Sequence, residues 1–218
     1  MKKIFLAFFI YIIPVITIAD PGIKYSYDEI ASDIFWNMLY GDGGWTLYCG
    51  HQFNQPNISV DGKTLAIEHI YPTSRMFFIA NCDSRNQCYA SKNKLFSEME
   101  ADLHNLYPII LELSNAFYDS DFGEIEGEDW RIENCDYERK NGTIEPRTLA
   151  KGNIARAIFY MHTRYNLPIK KETLDILKKW NHEDPPSRQE QIRNSKIELI
   201  QGNRNPYIDN PSLADKLR

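Results

Sequence analysis

The chain reads as one α+β domain, mostly helical, with a small β element near its middle. Long segments in the second half space their apolar residues as helices do, while short β-branched runs are confined to the first two-thirds. No internal repeat, low-complexity tract or long linker divides the sequence, and 43% hydrophobic with 25% charged residues is a composition able to bury a sizeable core.

The first residues, MKKIFLAFFIYIIPVITIAD, place two lysines before an apolar run from Ile4 to about Ile18, with Ala19 as a small exit residue. That is the layout of a secretory signal peptide. A membrane anchor is the competing reading, but Pro14 interrupts the run, which falls short of the roughly 20 apolar residues that cross a bilayer. The expected division is a signal peptide over 1–19 and a mature domain over 20–218, periplasmic or secreted, with no membrane association after cleavage. Four cysteines, Cys49, Cys82, Cys88 and Cys135, favour two disulfides in an exported chain. Cys82 and Cys88 could close a short loop and Cys49 with Cys135 a long one; a zinc site competes weakly because no CxxC is present. The net charge is −5, and loss of Lys2 and Lys3 with the leader takes it to −7. A generally basic polyanion-binding surface is excluded, so nucleic-acid binding would need a local basic groove.

Residues 25–40 carry helical spacing that GDGG ends; WTLYCG reads as a short strand, and 51–64 as turn-rich. TLAIEHIYP is β-branched and apolar and runs into an X-Pro stop, so it reads as a strand. Residues 73–91 show little periodicity and read as a long disulfide-held loop. Residues 92–117 read as two helices broken at Pro108. An acidic, glycine-bearing stretch with strand-like DWRIENCDY fills 118–146. Amphipathic helices follow at 150–165, at KKETLDILKKWNHE and over the segment ending QGNRNP.

The chemistry concentrates in IEHIYP. Neighbours on a strand point to opposite faces, so Glu68 and His69 suit two tasks around one atom rather than one shared task. A carboxylate is a hard ligand for Mg²⁺ and a neutral imidazole accepts a proton from water near pH 7. For an isolated Glu-His dipeptide, a half-exposed glutamate beside a structural histidine is the commoner meaning.

The surroundings add to this. IEHIYP, the two-cysteine segment ending SRNQC, MEADLHNLYP, EPRTLAKGNIARAIFYM and RNSKIELIQGNRNPYIDNP stand in an order that resembles the bacterial endonuclease I family, from about Tyr25 to Pro211. The resemblance implies a ββα-metal (His-Me finger) motif and a Mg²⁺-dependent nonspecific endonuclease, with Mn²⁺ or Ca²⁺ as alternative ions. Its expected substrate is DNA, with RNA as a second, and its expected state a monomer.

Position by position, His69 matches the family's general base, Glu68 its metal-binding carboxylate and Arg85 its phosphate-binding arginine. The second metal ligand falls in ELSNAF, where a straight alignment gives Ser114 and a one-residue shift gives Asn115. An amide oxygen is the more usual ligand, which selects Asn115. Glu100 and His104, spaced i, i+4, could stand behind the metal or His69, or form a solvent-facing pair. Arg147 and Arg156, in the EPR and IAR blocks, could contact a nucleic-acid backbone or pair with carboxylates. The chain departs from the family where Cys49–Gly50–His51 replaces CGC, around Tyr118 and Asp119 where an arginine is often found, and in the acidic EIEGED at 124–129. The rival function is a catalytically weakened nucleic-acid- or partner-binding protein on the same fold. A metalloprotease is excluded by the absence of HExxH.

Overall fold

In the computed structural model, which describes residues 22–54, 59–114, 119–130 and 132–218, a mixed α and β domain is built around the Glu-His strand. The expected signal peptide lies outside the described residues. Helix α1 (Tyr27–Glu29) opens with a capping box in which Ser26 and Glu29 bond each other's main chain, and it runs on as a π-helical segment, Ile30–Leu39. Only Gly44–Trp45 of WTLYCG is extended (β1), paired with Gln52–Phe53 (β2); residues 46–50 turn, with the Gly50 N–H bonded to the Thr46 carbonyl. Strands β3 (Ser59–Val60) and β4 (Lys63–His69) form a hairpin across Asp61–Gly62, both at positive φ as a two-residue turn requires.

Two expectations fail here. The supposed loop over 73–91 contains helices α2 (Thr73–Ala80) and α3 (Arg85–Ala90). They are too short to display periodicity, and they are set by end signals instead: Asn81 in the left-handed C-cap, and Ser84 accepting from the Gln87 N–H. After α4 (Lys94–Ala101), the second expected helix is instead strand β5 (Leu106–Ile110), all five residues buried and antiparallel to β4. Pro108 is tolerated because its carbonyl accepts from the Leu47 N–H on the side away from β4, so its missing N–H costs no ladder bond. The sheet order is β3-β4-β5.

A second sheet combines β6 (Asp121–Phe122), β7 (Tyr137–Lys140) and β8 (Thr143–Pro146) in the order β6-β8-β7. The helices α5 (Thr148–Tyr165), α6 (Lys171–Glu183), α7 (Arg188–Gln201) and α8 (Pro206–Asp209) complete the domain. Among the described residues no helix is long and apolar enough to cross a membrane. Helix α5 carries an almost continuous buried face from Ala150 to Met161. Its Gly152 abuts the end of α6 so closely that a Cβ would lie 1.9 Å from the Asp184 carbonyl oxygen, which requires glycine there.

Both proposed disulfides are present, Cys49–Cys135 and Cys82–Cys88. Arg156 is fully buried and donates through Nε and Nη2 to the Glu190 carboxylate at 2.8 and 2.6 Å, joining α5 to α7. Asp102, equally buried, accepts from Tyr160, Tyr165 and Gln201. His104 turns into the core rather than towards Glu100, with Nε2 3.2 Å from the Asn203 carbonyl and its ring against Tyr160.

Arg156→Ala leaves Glu190 charged and buried without its partner, and a loss of about 3–5 kcal/mol in chemical denaturation is expected. Burial holds the His104 imidazole down at about 4. The unfolded chain, with its histidine near 6.5, therefore binds the extra proton first as pH falls. The stability from this group is full above pH 6.5 and declines by about 3 kcal/mol between pH 6.5 and 4. Denaturation midpoints followed across that window should show a shallower decline in His104→Gln.

Candidate active site

Strand β4 delivers Glu68 and His69 as its last two residues, opposite Tyr107 and Leu106 of β5. Both line one cavity of about 160 Å³, together with Tyr27, Arg85 and Glu100.

His69 is half-buried, and its Nε2 lies 2.9 Å from the main-chain carbonyl of Glu100. A carbonyl oxygen only accepts, so in the neutral ring Nε2 carries the hydrogen and the lone pair is on Nδ1. Burial outweighs the carbonyl's opposite pull and holds the imidazole down at about 4. The ring is thus neutral at pH 7, the form that accepts a proton. The Tyr27 ring flanks it with centroids 5.1 Å apart.

The same residue that orients His69 through its backbone holds Arg85 through its side chain. Arg85 Nε is 2.5 Å from Glu100 Oε1, and Tyr89, one turn further along α3, donates its hydroxyl to Oε2. The Arg85 guanidinium also lies over the Tyr27 and Tyr89 rings, at 5.0 and 5.5 Å. Its side chain is 45% exposed against 1% for Glu100, so it presents charge to the cleft mouth from a buried anchor. Burial pushes the Glu100 carboxyl up, and the Tyr89 hydroxyl and Arg85 partly offset it.

Glu68 is buried, and the Ser114 hydroxyl donates to its Oε2 at 2.8 Å. Ser114 is itself held by Arg139 of β7, which donates to the Leu113 and Ser114 carbonyls at 3.1 and 3.2 Å. Asn115, the expected second metal ligand, lies outside the described residues. The donors present, a carboxylate beside a hydroxyl oxygen, are hard oxygens of the kind that hold Mg²⁺, so the residues fit such an ion.

The structure brings Glu68, His69, Arg85 and Glu100 together, and it leaves two arginines elsewhere. Arg156 is committed to Glu190 in the core, the carboxylate-pairing alternative rather than a contact with nucleic acid. Arg147 donates to the Leu47 carbonyl at 3.0 Å and packs on Gly50, near the Cys49–Cys135 disulfide. Three neighbours were missed. Tyr27 was visible only as one residue of a helix start, and Tyr89 only through its i, i+4 spacing from Arg85. Arg139 is distant in sequence from everything it supports.

The family model for endonuclease I matches residues 24–212. An extracellular deoxyribonuclease of Aeromonas hydrophila is 28% identical over 201 residues, covering 79% of this chain and 84% of that protein. A periplasmic deoxyribonuclease of the same organism is 30% identical over 198 residues, covering 78% and 81%. An extracellular ribonuclease of Bacillus amyloliquefaciens is 34% identical over 134 residues, covering 53% of this chain and 46% of that protein. With its cleft residues inside the span that the family model matches, the chain belongs to the endonuclease I family.

Proposed function

We propose that this protein is an exported, metal-dependent endonuclease that hydrolyses DNA, and RNA as well, with little sequence specificity. The observation that carries the reading is the convergence of a neutral, carbonyl-oriented His69, a buried Glu68 and an anchored Arg85 on one cavity. His69 Nδ1 takes a proton from water as its oxygen attacks phosphorus. The P–O3′ bond breaks and the phosphate stays on the 5′ side, giving 5′-phosphorylated fragments. Arg85 offers a planar fork to two non-bridging oxygens and stays charged throughout. Glu68 and Asn115 would hold the ion, Mg²⁺ first with Mn²⁺ or Ca²⁺ as alternatives. When bound, the ion supplies positive charge to the phosphate and to the departing oxygen.

Low specificity follows because the chemistry reads phosphates, and phosphate contacts carry no sequence information. The nucleophile is water rather than a ribose hydroxyl, so no 2′-hydroxyl is needed and DNA can be cut; the relative named an extracellular ribonuclease supports including RNA. Relatives named extracellular and periplasmic support export; the mature domain starts at residue 20 and acts as a monomer in this reading.

Plasmid cleavage by the oxidised mature protein tests the reading. Cutting should require Mg²⁺, stop with EDTA, and fall about 10²–10⁴-fold in His69→Ala. A folded wild type that binds DNA but cuts with none of Mg²⁺, Mn²⁺ or Ca²⁺ would instead favour the binding-protein reading. Arg85→Lys keeps a charge but loses the two-pronged contact. Its kcat/KM should fall roughly 10-fold or more, and an unchanged value would remove Arg85 from phosphate binding.

A further inference from the structure

The acidic stretch that opposes a polyanion meets a second acidic group away from the cleft. Glu128, Asp136 and Glu138 each offer a carboxylate oxygen, and these oxygens lie within 4.8 Å of one another. Three like charges at that spacing repel unless something positive sits among them. Among the described residues no lysine or arginine pairs with any of the three. The nearby cations are otherwise engaged: Lys151 on Glu145, and Arg139 on the carbonyls of Leu113 and Ser114.

Glu138 makes the cluster more than a surface patch. It is only 4% exposed, and its Oε1 is buried without a hydrogen-bond partner. A buried carboxylate oxygen with no donor is costly to leave so. Glu128 is exposed and Asp136 half-buried, so the group opens on one side to water. Three oxygens no more than 4.8 Å apart all lie within about 2.8 Å of a common centre, so small side-chain movements bring them to the roughly 2.3–2.6 Å at which oxygens bind calcium.

We propose that Glu128, Asp136 and Glu138 form a binding site for a calcium-class cation, separate from the catalytic cleft, that ties the acidic segment 124–129 to β7. Carboxylates with solvent completing the shell suit Ca²⁺, with a dissociation constant on the order of 10⁻⁴–10⁻³ M.

Trp130 provides the readout, because its indole N–H donates to Glu128 Oε2 at 2.8 Å. Terbium, a luminescent stand-in for calcium, is titrated into the oxidised mature protein under tryptophan-selective excitation. Sensitised emission should rise to saturation and be competed away by Ca²⁺. It should be lost in Trp130→Phe and in Glu138→Gln, and kept in Glu68→Gln. Glu138→Gln removes an unpaired buried charge, so circular dichroism should show it folded; Asp136→Asn provides an independent second variant. No emission from the wild type overturns the proposal and leaves a shared proton as what relieves the cluster. Emission that survives both Glu138→Gln and Asp136→Asn, or that disappears only with Glu68→Gln, also overturns it.

Discussion

Glu100 is the residue on which the cleft depends. Its side chain is almost wholly buried, and a carboxylate so placed needs donors. Arg85 and Tyr89 supply them from one face of α3, and in doing so they fix that short helix over the end of β4. The Glu100 carbonyl meanwhile selects the tautomer of His69. One residue thereby sets the tautomer of His69 and the position of Arg85, which links the two without direct contact between them. The Cys82–Cys88 disulfide, with Cys88 fully buried, holds the segment that delivers Arg85.

Behind the cleft, the C-terminal helices secure the segment that leads from Glu100 into β5. Arg193 donates to the carbonyls of Leu103 and Leu106 at 2.6 and 2.5 Å and lies 4.0 Å from the Tyr107 ring. Gln201 accepts from the Leu103 N–H and donates to Asp102. These contacts satisfy a buried turn whose backbone groups have no regular ladder. The RN and QGN blocks near the C-terminus are therefore structural, and they hold in place the strand that pairs with Glu68 and His69.

Among the described arginines, Arg85 lines the cleft while others are committed to the interior. With a net charge of −5, the chain spends buried arginines on its own carboxylates and carbonyls, Arg156 on Glu190 and Arg193 on the turn before β5. Arg85 differs because its buried partner leaves nearly half the side chain exposed. In the acidic segment 124–129, Glu124 pairs with Lys179 of α6 and Glu128 stands beside Asp136 and Glu138, none of which lines the cleft.

The sequence alone determined the α+β class, the strand carrying Glu68 and His69, the helices of the second half and the expectation of two disulfides, because each rests on local periodicity or on cysteine number; which cysteines pair was decided by the tertiary structure. The sequence misjudged 73–91 and the LYPII run. Helices of six to eight residues are too short to show a period, and a fully buried five-residue run looks alike in helix and strand. Tertiary structure decided that Arg156 is internal while Arg85 is presented, although both are arginines in motif blocks. It also placed Glu100, Tyr27, Ser114 and Arg139 around the cleft. These roles arise from contacts between residues far apart in the chain, and periodicity within a segment carries no information about which segments will meet.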